Sequence, residues 1–246
     1  MSIPHERRSF LISRPEAINQ FLALFGEPNY LEIGVSEGQT FFAVKAQRKV
    51  AVDPKFGFPI DQALKENPSC TFHEVASDIY FSERIGPSEV FQVIYLDGLH
   101  TFEQTLRDFT NAIRFLTPNG VIIIDDIVPN SYQSGLPDQL DSMNVKKFIG
   151  DLDHSWMGDT YKLVFFIEAF FPTFEFRTIS DNHGQGVVWR ANPLRREIKS
   201  YSAKEIADLQ FLDVIKQHDI FRKKPCAQII EEFKSVRHLE AAPSSK

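Results

Sequence analysis

Two short stretches carry residues whose types and spacing suit chemistry. "YLDGLHTFEQTLRDF" (95–109) is the end of an apolar run passing into a helix-like pattern, and it places Asp97 three residues before His100 at the junction. "GVIIIDDIVP" (120–129) is a second apolar run, ending in adjacent acids, Asp125 and Asp126. If the two runs are neighbouring strands, about 4.8 Å apart, three carboxylates converge at one edge. Carboxylates held together repel unless one is protonated or a cation lies between them. An all-oxygen set favours a hard ion such as Mg²⁺, Mn²⁺ or Ca²⁺. His100 sits just outside the following helix and reaches the same mouth. An imidazole of near-neutral pKa is a natural acceptor for a hydroxyl proton. Taken singly, the paired acids would serve as a loop cap and the histidine as a structural one; their joint placement is what points to a metal and a base.

The elements that must position these groups follow from hydrophobic patterning. Strand-like runs occur at "NYLEIG" (29–34), "KVAVD" (49–53), "CTFHEV" (70–75), "FQVIYLD" (91–97) and "GVIIID" (120–125), apolar nearly throughout, with helix-length segments between them. That pattern describes strands covered on both faces, a parallel sheet of βαβ units. Ligands of such sheets lie at the carboxyl ends of the strands. The helix after His100 is signalled by Thr101 as N-cap with Gln104 at N3, a capping box. Phe102, Leu106, Phe109, Ile113 and Leu116 form its buried stripe, and Pro118 with Asn119-Gly120 stops it.

A long loop, "DIVPNSYQSGLPDQLDS", follows the fifth run and reads as a lid or binding loop. "HSWMGDTYK" (154–162) offers Trp156 and Asp159 either as substrate contacts or as ordinary helix capping. "KLVFFIEAFF" holds too many aromatics for a helix buried on one side only, and we expect a homo-oligomeric contact through this Phe-rich segment. "TFEFRTI" (173–179) and "GVVWR" (186–190) are joined through "SDNHGQ" as a hairpin. Residues 203–239 read as two helices outside the repeating unit. The expected organisation is one domain over 1–246, with a core at about 28–190, a helical segment at 1–27 and a helical extension at 191–246.

Composition bounds the function. The net charge of −6 makes the overall field unfavourable for nucleic acid and anionic membranes, and basic runs such as Arg222-Lys223-Lys224 are short. Two cysteines, Cys70 and Cys226, leave no room for a disulfide framework or a zinc–thiolate site and fit a reducing compartment. No signal-peptide core or membrane-length apolar run is visible, so a cytoplasmic location is expected.

The other strand ends add a binding site. In "LEIGVSEGQTFF", Glu32, Gly34 and Gly38 make an acidic turn into a helix whose glycines let a ligand approach the backbone. The dinucleotide fingerprint fails, because Ser36 and Gln39 stand where its later glycines belong. Asp53 ends the second strand, where an acid accepts both hydroxyl protons of a ribose. Ser77-Asp78 follow the third. Here the sequence resembles the class I S-adenosylmethionine-dependent methyltransferases: "LEIGVSEG" is similar to their first motif, with Ser36 for the commoner middle glycine, and "VAVDP" to their ribose motif. The resemblance implies a doubly wound, Rossmann-like α/β fold, a mostly parallel seven-stranded sheet with a C-terminal antiparallel hairpin. It also implies a cofactor site of Glu32, Gly34, Ser36, Gly38, Asp53, Ser77, Asp78 and Asp97.

Asp-x-x-His followed by paired acids resembles one subgroup, the metal-dependent sugar O-methyltransferases of the macrocin and mycinamicin type. That likeness makes Asp97, Asp125 and Asp126 ligands of a divalent cation, Mg²⁺ or Mn²⁺, and His100 the general base. Asp125 departs from the Glu usual there, and the chain lacks the N-terminal sequence those enzymes carry. The implied activity is methyl transfer to a hydroxyl of a sugar or other vicinal-diol small molecule. Rival readings are a metal-independent methyltransferase of the same fold, a non-catalytic ligand-binding module and a nicotinamide oxidoreductase.

Overall fold

The computed structural model describes residues 11–191 and 200–241, the last four of these by backbone only. The strands in chain order are β1 (Asn29–Ile33), β2 (Arg48–Asp53), β3 (Cys70–Glu74), β4 (Phe91–Leu96), β5 (Leu116–Ile124), β6 (Phe174–Ile179), β7 (Gly186–Arg190) and β8 (Lys223–Lys224). The helices are α1 (Arg14–Leu22), α2 (Gln39–Ala43), α3 (Ile60–Glu66), α4 (Ser77–Ile79, running on as a π turn over Tyr80–Arg84), α5 (Phe102–Phe115), α6 (Gln139–Ile149), α7 (Lys162–Phe170), α8 (Ala203–Ala207), α9 (Phe211–Lys216) and α10 (Cys226–Ala241).

The sheet order is β3-β2-β1-β4-β5-β7-β6-β8. β1 to β5 pair in parallel, and β7 runs antiparallel to both β5 and β6. The chain leaves β1 towards β2 and β3 and returns on its other side as β4. The crevice between the carboxyl ends of β1 and β4 is therefore the switch point at which open α/β sheets bind ligands. The expected fold class holds, with eight strands in place of seven. The extra strand, β8, pairs only at Thr178–Lys223 and Ile179–Lys224, too short a pairing to leave a pattern in "FRKKPC".

Alternation along the strands divides the core. Leu31, Ile33, Ile94, Leu96, Ile122 and Ile124 pack on the face covered by α5 and α7. Tyr30, Val93, Tyr95, Val121 and Ile123 pack on the face covered by α1, α2 and α10. The stripe of α5 is as expected up to Phe115, but Leu116 opens β5 instead of closing the helix. Pro118 and Asn119 do not interrupt the element. The register between β4 and β5 shifts from Phe91–Leu116 to Val93–Val121, and the extra residues stand in that irregularity, where a proline costs no ladder hydrogen bond.

α7 is core. Leu163, Val164, Phe165 and Ile167 are buried, Phe165 packs edge-on against Tyr201 and Phe221, and Phe166 contacts Phe102. Its aromatics are used within the chain, with Phe170 the exposed exception. Among the described residues no helix is long and apolar enough to cross a membrane.

Candidate active site

The turn after β1 is built by close approach. Gly34 (φ 84°) has no room for a side chain: a Cβ there would lie 2.0 Å from the Asp97 carbonyl oxygen. Amide bonds from Asp97 N to Ile33 O (2.8 Å) and from Asp125 N to Leu96 O (2.9 Å) extend the ladder past the strands. Gly34, Asp97 and Asp125 consequently stand side by side on one edge. Ser36 is also left-handed (φ 48°), and the Asp53 carboxylate answers that conformation. Its Oδ2 accepts from Val35 N and Ser36 N, each at 2.8 Å, and Oδ1 accepts from Lys55 N at 2.8 Å. Gly38 (φ 76°) opens α2, where a Cβ would strike the rings of Phe42 and Phe58.

Glu32 stands apart from this mouth. It is 1% exposed, it accepts from Tyr30 Oη at 2.6 Å, and burial pushes its pKa well up. The acid beneath the turn supports it from within the sheet, and the expected ligand contact through its carboxyl is corrected accordingly.

After β3, Ser77 and Asp78 are gathered by Gln104. Its Nε2 donates to Ser77 Oγ (3.1 Å), Asp78 Oδ1 (3.4 Å) and Asp108 Oδ1 (3.1 Å). The expected capping box is thus half formed. Thr101 Oγ1 accepts from Gln104 N at 3.4 Å, while the Gln104 side chain turns across to the neighbouring strand end. Arg107 pairs with Asp78 at 3.1 Å. Asp108 lies beneath, where burial pushes its pKa up to about 6 despite hydrogen bonds from Ser77 and Gln104.

The acids of β4 and β5 converge as the sequence implied, with histidines among them. Within 4.8 Å of one another lie Asp97, His100 and Asp126, and likewise Asp125, Asp126 and His183. Asp126, in a left-handed conformation (φ 53°), is common to both sets. His100 Nε2 is 3.2 Å from Asp97 Oδ1, and its Nδ1 is 2.8 Å from the Trp156 carbonyl and 3.4 Å from Asp126 Oδ2. With Nδ1–H donated to that carbonyl, Nε2 is the nitrogen that exchanges a proton. Arg14, the first residue of α1, places Nε 2.7 Å from Asp125 Oδ2 and Nη2 3.7 Å from Asp126 Oδ1. His183 Nε2 packs against Asp125 Oδ1.

The electrostatics are uneven. Burial raises the Asp125 pKa, but His183 and Arg14 outweigh it and hold this carboxyl ionised, below its ordinary range. Asp97 and Asp126 are pushed up, by burial first and then by Asp125. Burial alone would lower His100; its hydrogen bond to Asp97 and the Asp126 charge carry it instead to about 9. The near-neutral imidazole expected from sequence is, in this arrangement, an imidazolium.

A clamp holds the histidine. Gly158 (φ 60°) presses on it so closely that a Cβ would lie 1.6 Å from the His100 carbonyl oxygen. Asp159 Oδ1 accepts from Phe102 N at 2.7 Å, capping α5, and its Oδ2 pairs with the buried Lys162 at 3.0 Å. Of the two roles open to Asp159, capping is the one the structure gives it; Trp156 contributes its carbonyl to His100 and its indole N–H to Leu136 O at 2.8 Å.

Sequence reasoning missed Arg14 and His183, and read Gln104 only as the partner of a capping box. For His183 a signal existed: β7 is antiparallel to β5 with Ile124 opposite Gly186, so the turn "SDNHGQ" necessarily faces Asp125. Arg14 left none, since nothing local ties the opening helix to the end of β5.

Residues 31–127 match a family model described as a methyltransferase domain, a span from β1 through the end of β5 that contains every strand end discussed above. No curated protein matches the chain. Among solved structures, a Staphylococcus aureus protein provisionally described as a caffeoyl-CoA O-methyltransferase is 15% identical, covering 74% of this chain and 85% of its own, with a TM-score of 0.51. The O-methyltransferase TomG from Streptomyces achromogenes, solved with SAM, is 14% identical over 75% of this chain and 83% of its own, at a TM-score of 0.48. An O-methyltransferase from Bacillus cereus, solved with SAH, is 15% identical over 73% and 81%, at 0.48. At 15% identity and a TM-score of 0.51 the likeness to the Staphylococcus aureus structure shows the fold alone. The family match agrees with the expected enzyme class, a methyltransferase.

Proposed function

We propose that this chain is an S-adenosylmethionine-dependent O-methyltransferase acting on a hydroxyl of a sugar or another vicinal-diol small molecule, with a divalent cation at the acids of β4 and β5. The observation that carries the reading is His100: a histidine with Nδ1 fixed on the Trp156 carbonyl and Nε2 on Asp97, held with Asp126 beside the Gly34 turn at the switch point. The donor set fits a hard cation. Asp97 and Asp126 are buried carboxyls beside a third, Asp125, and burial first and then that neighbour push both up.

In this reading Asp53 accepts from the ribose through Oδ1, for which a carboxylate holding three backbone amides keeps one lone pair to spare. Gly34, Ser36 and Gly38 shape the turn around the amino-acid end, and Ser77 and Asp78 face the adenine. The cofactor supplies a methyl group on a sulfonium, an electrophile that transfers to oxygen with its bond electrons left on sulfur. A divalent ion would lower the pKa of a bound hydroxyl and orient it. Asp97 and Asp126, engaged by a cation, would no longer hold His100 as an imidazolium. His100 Nε2 then takes the hydroxyl proton, and the Trp156 carbonyl on Nδ1 steadies the ring.

One observation favours a second reading, without a metal: Arg14 already lies against Asp125 and Asp126 and supplies a positive charge of its own. Calorimetry with S-adenosylhomocysteine, with and without Mn²⁺, separates the readings. The first expects cofactor-product binding weakened by Asp53→Ala, and Mn²⁺ binding lost in Asp126→Asn with cofactor affinity retained. Cofactor binding without any Mn²⁺ binding leaves the metal-free reading; binding of NAD alone overturns both.

A further inference from the structure

The guanidinium of Arg14 reaches three side chains, all of them of metal-ligand type. Its Nε lies 2.7 Å from Asp125 Oδ2 and 3.0 Å from His183 Nε2, and its Nη2 lies 3.7 Å from Asp126 Oδ1. One ligand atom from each of Asp125, Asp126 and His183 lies within 4.8 Å of the others. The carboxyls come from the end of β5 and the imidazole from the β6–β7 turn, so folding alone completes the set.

His183 Nε2 faces two incompatible demands there. The Arg14 N–H needs a lone pair from it, and Asp125 Oδ1 needs a proton. One ring nitrogen answers only one of them at a time. A divalent ion in the place of the guanidinium takes the Nε2 lone pair and both carboxylates together, and brings two charges where Arg14 brings one. Arg14 can yield that place: its side chain stays 41% exposed on the first turn of α1, while the Asp125 carboxyl is wholly enclosed. The other histidine is arranged differently. His100 turns Nε2 to Asp97 and Nδ1 to Asp126 and the Trp156 carbonyl, so its ring separates those acids and does not meet both through one nitrogen.

We infer that His183 is a ligand of the cation, joining Asp125 and Asp126 through Nε2, and that this nitrogen makes the site one for a first-row transition ion such as Mn²⁺ or Fe²⁺ in preference to Mg²⁺ or Ca²⁺. The inference rests on the cation of the proposed function and adds one donor to it. Mg²⁺ and Ca²⁺ take oxygen ligands, whereas transition ions accept imidazole beside carboxylate. Ligand and base are then two different histidines on either side of Asp126. Arg14 is the resident counter-charge that the ion replaces.

The test is spin-echo EPR on the full chain loaded with Mn²⁺, beside calorimetry with Mn²⁺ and Mg²⁺. Bound Mn²⁺ should show the nitrogen modulation of a coordinated imidazole, lost in His183→Gln and kept in His100→Gln. His183→Gln should also weaken Mn²⁺ binding by at least the ~10–100-fold that loss of an outer-shell partner costs a metal site. His183→Asp, which puts oxygen in place of the nitrogen, should recover binding but narrow the preference for Mn²⁺ over Mg²⁺. Arg14→Gln, which leaves every ligand in place, should tighten Mn²⁺ binding severalfold and keep the modulation. Mn²⁺ bound without nitrogen modulation, or with a modulation that survives His183→Gln or disappears in His100→Gln, would overturn the inference and leave the cation reading standing. So would an Arg14→Gln variant that binds Mn²⁺ no better than wild type. A wild type that binds no Mn²⁺ at all would overturn both.

Discussion

The carboxyl ends of β1 and β2 and those of β4 and β5 lie on one sheet edge yet are held in opposite ways. At the first pair the half-buried Asp53 is satisfied by three backbone amides, neutral donors fixed by the turn itself. At the second, six side chains that carry or can carry charge answer one another: Asp97 with His100, Asp125 with Arg14 and His183, and Asp126 between them. Local amides define a shape that is complete when the chain has folded. Paired charges drawn from β4, β5, α1 and the β6–β7 turn leave carboxyls with displaced pKa values, the condition expected where a protein holds groups for chemistry. The comparison assigns shape recognition to one half of the edge and reactivity to the other.

The largest expected break in that division is His100→Ala. General-base assistance is worth about 10²–10⁴ in rate, so turnover on a verified acceptor should fall by that order while affinity for S-adenosylhomocysteine is unchanged. Normal turnover would return this half of the edge to a structural role. Next is Asp125→Asn, which leaves Arg14 and His183 facing an uncharged amide. Breaking a buried pair typically costs about 3–5 kcal/mol; because Arg14 stays 41% exposed, about 2–3 is expected here. Hydrogen exchange should quicken in α1, whose first turn this pair anchors, and leave β1 and β2 unaltered.

Asp53→Ala should act in the other half only. Losing an acceptor for three amides should cost about 1–3 kcal/mol in cofactor-product affinity, read by calorimetry, with the Mn²⁺ response intact. The smallest effect sharpens the boundary between the halves. Asp108, beneath Ser77, is held neutral to about pH 6 in the fold but ionises near 3.8 in an open chain. The stability it contributes is complete below about pH 4 and is lost as pH rises through 6. Asp108→Asn should remove that decline, leaving the variant about 1–3 kcal/mol more stable at pH 8 and no different at pH 4. Urea midpoints across pH measure it.

The edge was legible in the sequence where a signal was local. Unbroken apolar runs ending in Gly34, Asp53, Asp97 and Asp125-Asp126 named both the parallel sheet and its reactive edge, because strands buried on both faces must end in polar residues where they emerge. Glu32 misled for the same reason: it stands in the run before the turn and looks like part of the mouth, but alternation sends it under the sheet to Tyr30. Asp159 carried two readings and Gln104 one, a capping box, and what each does depends on what lies across the fold, Phe102 N for one and Ser77 for the other. Arg14 is set by tertiary docking alone. The α6 segment lay hidden in a stretch rich in Pro, Gly and Ser, where apolar residues at helical spacing face outward and so never mark a core.

The β6–β7 turn has a consequence for the tolerance of this chain to insertion and deletion. Hairpin tips ordinarily drift in length at little cost, since they project into solvent. This one is pinned from within by Asn182, whose Oδ1 accepts from Gly184 N and Gln185 N, and from without by the pairing of Ile124 with Gly186. One residue more or fewer between Ile179 and Gly186 would rotate or withdraw His183 and leave Asp125 without one of the two side chains that pair with it. The segment works as a ruler: what must be kept is the count of residues from strand to histidine, together with the Asn182 side chain that fixes the tip.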